Sequence, residues 1–343
     1  PFLFFICLAS FFGAILNSYN KFAVAAAAPI ILNIILIVSL FFSKWVNISD
    51  VLILSYAVSL AGFLQLIVLF FFVRKNFKPI LSIKIKIDEQ IKLFFQKLLP
   101  SIFSSGVTQI NILVGTIIAS FQAGAVSYLY YADRVYQINL AIAGIAVGTV
   151  MLPELSKHVK NNNSEQINNL QNRALELCLF LSIPAAVALV LASEQIITSL
   201  FGYGSFDNES VINTAIALTF FGIGVPAFSI LKIFSNYFFA RDDTKTPFYL
   251  SVISVILNVL ISVSFFKELG FVIIPIATSV SSWINVFFHF YFIRKRNLHT
   301  FDNAFIYKFP RMILSVVVMG MVLYLLLGLF SDKFIYNESW KFI

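Results

Sequence analysis

Charge is what this sequence has least of. Asp, Glu, Lys and Arg make up 12% of its 343 residues, whereas soluble domains carry about 25%. A water-facing shell needs more than that, so a soluble globular fold is excluded. Cysteine is nearly absent as well. Cys7 and Cys178 stand far apart in apolar runs, with no CxxC neighbour and no nearby His pair. Core packing is therefore their default, rather than a metal or redox site. The three histidines, His158, His289 and His299, are scattered. HExxH, GxSxG, Walker and paired-carboxylate signatures are missing. Gly202 and Gly204 of FGYGS follow no strand and precede no GK[ST], so they read as an external turn. Nothing argues for an enzyme, and no metal or cofactor is called for. Alternation of period two is also absent, which excludes a β-barrel.

What is present is hydrocarbon. Hydrophobic residues reach 59%, with 40 Phe among them, and the mean hydropathy is +0.90. The chain is an all-α polytopic membrane protein. Its net charge of +8 fits Lys and Arg facing anionic lipid better than it fits nucleic acid. A spanning helix needs about 20 apolar residues. Ten stretches qualify: 2–16, 24–42, 51–72, 98–119, 126–152, 174–198, 210–238, 248–266, 271–292 and 312–330.

Loop charge sets the orientation. Alternate loops hold Lys21; Arg74 to Lys97; Lys157, Lys160 and Arg173; Arg241 and Lys245; and Arg294 to Arg311, which is 18 of the 24 Lys and Arg. The positive-inside rule makes these loops cytoplasmic. The first helix then starts outside, and the chain opens at Pro1 without an initiator Met. With a cytoplasmic N-terminus, an odd number of further helices is expected upstream.

Four segments follow. Residues 1–72 end a first lobe with three helices. Residues 73–97 form a cytoplasmic linker whose Ile87, Ile91, Phe94 and Phe95 share one face of an interfacial amphipathic helix. Residues 98–292 form a second lobe of six helices, and 293–343 hold an additional C-terminal helix and its flanks. An internal repeat supports the lobes. ILNIILIVSLF (31–41) matches ILNVLISVSFF (256–266) at six of eleven positions, and Arg74-Lys75 parallels Arg294-Lys295. Both copies run the same way, as in two-lobed alternating-access transporters.

Only Arg134 and Lys232 lie within the spans as cations. Arg134 sits beside Asp133 in SYLYYADRVYQ, on the outer half of its helix. Charges at membrane depth usually face a bundle interior or a water-filled cavity. Neighbours on a helix point about 100° apart, so Asp133 and Arg134 cannot pair tightly. Arg134 suits a phosphate or carboxylate through its planar fork, or a structural ion pair. Lys232 either snorkels to the cytoplasmic face or lines a cavity. Pro226, with Gly222 and Gly224, allows a bend. ARDDTKTP (240–247) reads as a turn and helix start, with Thr246 as N-cap and Pro247 at the first helical position.

Several words then become familiar in order: NSYNKFA (17–23), SYLYYADRVYQ through GTVMLPELSK (127–157), LFGYGSFD (200–207) and FFARDDTKTP (238–247). They closely resemble the MurJ/MviN family of lipid II flippases, within the multidrug/oligosaccharidyl-lipid/polysaccharide exporter superfamily, over nearly the whole chain. The resemblance implies fourteen helices in two lobes, of which ten are visible here, around a cationic cavity in the bacterial cytoplasmic (inner) membrane. It implies binding of the lipid-linked peptidoglycan precursor by its pyrophosphate and transfer from the inner to the outer face by alternating access. Arg134, Asp133, Lys232 and Arg241 match its substrate-binding positions. Asp243, Thr246, Pro247 and Pro226 belong to motif or gating words. Some members hold a cation with acidic side chains where this chain has Gly115 and Ser262, while Asn258 and Thr278 are retained. That departure argues against sodium coupling at this place and leaves the membrane potential or another monovalent ion as driving force. Membrane lipids and cell-wall synthesis proteins are further expected partners. The alternatives are a related polysaccharide-lipid or multidrug exporter, or a membrane scaffold for cell-wall synthesis that transports nothing.

Overall fold

The computed structural model describes residues 1–19, 21–43, 45, 48–75, 77, 89, 91, 92 and 109–329. The chain divides into two compact units, Pro1–Ile91 and Lys92–Ile343. Among the described residues every regular element is helical.

Unit 1 consists of α1 (Phe2–Ser18), α2 (Phe22–Ser43) and α3 (Asp50–Arg74). α3 packs on both of the others. Its inner face is built from small residues: Ala57, Ala61 and Gly62 are buried, and the Phe2 ring lies where a side chain on Gly62 would stand. With lipid on the other side there is no hydrophobic drive between helices, so close approach through small residues is what holds them. Ala9, Leu16, Ala28, Leu69 and Val73 form the core. The amphipathic helix expected over the 73–97 linker falls almost wholly outside the described residues.

Unit 2 contains α4 (Gln109–Ala119), α5 (Ala125–Leu140), a π-helical turn (Ala141–Ala146), α6 (Val147–Lys160), α7 (Ser164–Leu191), α8 (Ser193–Phe201), α9 (Asn208–Phe239), α10 (Lys245–Leu269), α11 (Ile273–Lys295) and α12 (Asn303–Leu329). The axis of the unit is α9, which α5, α7, α8 and α11 all touch. More than half of its 32 residues are buried. Two core clusters stack along it. Leu218, Phe221 and Val225 meet α5, α8 and α11 near the outer end, and Ile233, Phe234 and Tyr237 meet α6, α7 and α12 near the inner end.

The boundaries correct the sequence reading at 174–198 and at 312, and they bear out the expected division between 248–266 and 271–292. The span expected at 174–198 is two helices. α7 starts ten residues earlier, with the Asn163 side chain accepting from Gln166 N–H, and it stops at Ala192, after which α8 sets off anew. The continuous stretch 245–295 would be roughly 75 Å long as one helix, far beyond a bilayer. It folds back at Gly270, whose φ of 61° only glycine adopts readily, and α11 returns along α10. α12 begins at Asn303 rather than 312, capped by Asp302 Oδ1 accepting from Phe305 N–H at 2.7 Å. Its first turns carry Lys308 and Arg311, so hydropathy alone misses them. Counting α10 and α11 separately, eight long apolar helices and the shorter α1 and α4 correspond to the ten expected spans.

Candidate functional site

Of the charges singled out in the sequence, Asp133, Arg134 and Lys232 lie on a wall made by α5, the π turn, α6 and α9, which pack together. Gly124, in the left-handed region with φ 76°, starts α5. Ala132 and Val135 are buried against the outer core, which turns Asp133 to the side and Arg134 outward. Gln137 Nε2 donates to Asp133 Oδ2 one turn on. The Arg134 guanidinium lies 4.9 Å from the centre of the Tyr130 ring, a cation–π contact on the same face. No described carboxylate pairs with it. Tyr131 points the other way, into Phe201 and Phe206 at 4.9 and 5.2 Å, so only Tyr130 of that pair remains on the Arg134 face.

Below Arg134 the helix widens. The π turn at Ala141–Ala146 holds one residue more per turn than an α-helix, a rare form found mostly at functional sites. Its Gly144 lets α9 approach, since a side chain there would meet Ser229 Cα at 3.0 Å and Lys232 Cγ at 3.4 Å. One turn on, Asn236 Nδ2 donates to Gly148 O at 2.7 Å. The Lys232 stem therefore lies across these glycines, its side chain is exposed, and no described carboxylate pairs with it. Arg134 and the level of Lys232 are separated by about a dozen residues of helix, roughly 18 Å. Two cations with no salt bridge to a described carboxylate thus stand at two depths of this wall, too far apart to hold a single small anion together.

Arg241 is not on that wall. It sits in the turn after α9, where Nη1 donates to Tyr237 O at 2.6 Å and Nη2 donates to Leu298 O at 3.2 Å. Burial lowers its pKa from the usual arginine value, although a guanidinium stays charged in proteins. The expected grouping of Arg241 with Arg134 is therefore not formed within unit 2. Beside it the start of α10 differs from the expected cap. The helix begins at Lys245, and the capping acceptor is Asp243: Oδ1 receives Thr246 N–H at 3.0 Å, and Oδ2 receives the Thr246 hydroxyl at 2.7 Å. Thr246 and the buried Pro247 are thus inside the first turn. Asp243 also pairs with Arg296 at 2.5 Å. Burial raises the Asp243 pKa, but the Thr246 bonds and the Arg296 charge outweigh it, leaving it below the usual carboxylate value.

Pro226 lies within α9, which runs unbroken through it. Proline removes an intrahelical donor, here the one that would face Gly222 O, and α11 side chains bond other carbonyls of the same stretch. Ser279 Oγ donates to Phe220 O at 2.6 Å, and Trp283 Nε1 donates to Ile223 O at 3.1 Å. A side chain at Gly224 would stand 2.5 Å from Ser279 Oγ. These bonds tie α11 to α9 beside the proline turn. Ser279, Trp283 and Asn236 were missed in the sequence. The available signal was a polar side chain inside an apolar run, which gives depth but not direction.

Asn258 and Thr278 do meet: Asn258 Nδ2 donates to Thr278 Oγ1 at 3.1 Å, Ser262 Oγ donates to Asn258 Oδ1 at 3.2 Å, and Thr278 Oγ1 donates to Ile274 O at 2.8 Å. These oxygens are committed to one another, and no described carboxylate joins them. Among the described residues no cluster of three or more Asp, Glu, His or Cys exists. The donor set does not fit a cation.

The model of the family described as "Lipid II flippase MurJ" matches residues 1–342. The chain belongs to that family. The "Probable lipid II flippase MurJ" of Rhizobium meliloti (strain 1021) is 38% identical over 328 residues, 94% of this chain and 61% of that relative. The one from Rickettsia prowazekii is 33% identical over 340 residues, covering 98% of this chain and 66% of the relative. The chain thus spans about three-fifths to two-thirds of the length of these relatives. A solved structure titled "Lipid II flippase MurJ, inward closed conformation" superposes with a TM-score of 0.76 at 30% identity, covering 95% of this chain and 66% of that one. A multidrug exporter structure, "Crystal structure of MATE in the bent conformation", gives 0.62 at 13% identity, over 85% of this chain and 66% of that one, a likeness of fold alone. Membership in this transporter family and the apolar spans make the chain a multi-pass protein of the bacterial cytoplasmic membrane.

Proposed function

We propose that this chain is the larger part of a carrier that moves lipid II from the inner to the outer face of the membrane by alternating access. The observation that carries the reading is Arg134. It is a guanidinium inside an apolar helix, pointing away from the core of its own unit and paired with no described carboxylate, in a chain of the lipid II flippase family. Such a group is expensive in hydrocarbon unless an anion or water meets it. The pyrophosphate of lipid II is such an anion, and the arginine fork matches it. Asp133, held by Gln137, keeps the local net charge near zero when the ligand is gone. Lys232, deeper on the same wall, provides a second station as the headgroup travels. Arg241 is not assigned to the headgroup. Transport involves no covalent chemistry. A headgroup charge crossing the membrane potential exchanges about 2.3 kcal/mol per charge per 100 mV, which supplies a driving term without a bound cation.

The test uses the full-length protein in cells depleted of their own flippase. With Arg134→Ala, lipid II accessible at the outer face should fall more than tenfold while protein level in the membrane stays normal. Arg134→Lys keeps the charge but not the fork and should retain part of the activity. Normal exposure of lipid II with Arg134→Ala would overturn the assignment and favour a scaffold.

A further inference from the structure

The inner end of unit 2 holds a polar chamber that the transport path above does not use. It measures about 390 Å³ and lies between the first turns of α7, Arg241, and residues 297–300 of the α11–α12 turn. Its frame is stitched by hydrogen bonds. Thr300 N–H donates to Asn168 Oδ1 and Asn172 Nδ2 donates to Thr300 O, each at 2.9 Å. Arg241 Nη2 donates to Leu298 O, and the Tyr237 hydroxyl donates to Gln171 O at 3.0 Å.

Two lining side chains are left over from this frame. Gln171 is fully buried, at 0% exposure, yet neither atom of its side-chain amide has a partner among the described residues. His299 is 3% exposed and has no such partner on either ring nitrogen among the described residues. Its ring is held between Tyr237 at 5.4 Å and Phe301 at 5.0 Å, so it cannot swing out to water. Burial, with the Arg294 charge next, pushes its pKa down to about 4. The ring is therefore neutral at physiological pH, one nitrogen donating and the other accepting. Buried polar atoms are almost always satisfied, and four unsatisfied ones around one chamber point to something inside it.

We propose that the chamber binds an oxyanion of the phosphate class that carries a proton. Arg241 supplies the positive charge, with N–H groups beyond the two given to carbonyls. The start of α7 adds the positive end of a 28-residue helix and first-turn N–H groups. The Gln171 amide nitrogen and one His299 nitrogen donate to the ligand's oxygens. Gln171 Oε1 and the other His299 nitrogen accept, and a proton on the ligand is what they accept. Glu165 at the rim disfavours a fully ionised anion and so points the same way. Free phosphate and the phosphomonoester headgroup of an inner-leaflet lipid present the same chemistry.

The experiment melts the full-length protein in phospholipid-free detergent, with inorganic phosphate or sulfate at matched ionic strength and pH 7. Phosphate should raise the melting temperature saturably, by roughly 3–5 °C at a hundredfold excess over its dissociation constant. Sulfate, which carries no proton at this pH, should do much less. The phosphate response should vanish in Gln171→Leu and His299→Phe, and both should melt at or above wild type without phosphate, because orphaned polar atoms have been removed. Arg134→Ala should keep the response, which separates this chamber from the transport site. If phosphate fails while vesicles of phosphatidic acid stabilise the wild type and not the two variants, the occupant is the lipid headgroup. Equal phosphate and sulfate shifts, or a phosphate shift lost with Arg134→Ala and kept in both chamber variants, would overturn the proposal. Should either variant fail to fold, phosphorus NMR of the wild type decides. A saturable phosphate signal that excess sulfate does not displace supports the chamber, and its absence refutes it.

Discussion

The α2–α3 and α10–α11 hairpins carry the same sequence words in two different settings. In unit 1 the repeated Asn33 is exposed and α2 buries little of its surface. In unit 2 its counterpart Asn258 is 6% exposed and joins α10 to α11 through Thr278. α3 meets its neighbours through small residues and little polar bonding. α11 instead clamps α9 with Ser279 and Trp283 at the proline turn. A repeated word therefore specifies a helix and its direction, while the neighbours decide whether a polar side chain in it becomes a stitch.

The largest expected difference comes from adding bulk. At Gly224 a new Cβ would meet Ser279 Oγ and the Phe228 ring at 2.5 Å, whereas at Gly13 in unit 1 it would only touch Ala25 Cβ at 3.6 Å. Gly224→Ala should displace Ser279 from Phe220 O and cost about 2–3 kcal/mol by overpacking and a lost buried bond. Gly13→Ala should be neutral or gain up to about 1 kcal/mol from helix propensity. Denaturation of the two variants in one detergent checks this, and equal effects would erase the contrast between the units.

A smaller difference should follow at the repeated asparagines. Asn258→Leu removes the acceptor of Ser262 and the donor to Thr278 and should cost about 1–2 kcal/mol. Asn33→Leu should change stability by less than about 0.5 kcal/mol, as exposed substitutions do. Because Asn258 spends its polar atoms on neighbours, its loss should act on stability alone. A change in the sodium dependence of transport with Asn258→Leu would show that a cation competes for those oxygens after all.

These contrasts also mark how far the sequence could be read. Hydropathy found every described span, because bilayer thickness acts on each segment separately. Arg134 was legible for the same reason, since one cation in an apolar run is costly wherever the run packs. The π turn at Ala141–Ala146 was not, because the chain stays apolar through it and only contact with α9 reveals the change, whereas the break at Ala192 did carry a signal in the polar Ser193-Glu194-Gln195 that was passed over. Arg241 looked like a ligand for the transported headgroup because its word matched. Its carbonyl partners come from Tyr237, one turn back, and from Leu298, 57 residues on, a closure that no local pattern announces.

The smallest effect belongs to the cytoplasmic ends of the two hairpins. In unit 2 the start of α10 is tied to the end of α11 by Asp243 and Arg296. At the start of α2 in unit 1 no acidic residue takes the place of Asp243, since residues 21–24 are Lys, Phe, Ala and Val. The pair is partly exposed, so Asp243→Asn should cost only about 0.5–1 kcal/mol at pH 7, part of it from the weakened cap on Thr246. The folded-state pKa of Asp243 is depressed, so its contribution is full above the unfolded value of about 3.9 and fades as pH falls through the lower folded value. Wild type and variant should therefore differ at neutral pH and converge in acid below about pH 4. A gap that persists there would assign the clasp to the shape of the turn rather than to the charge on Asp243.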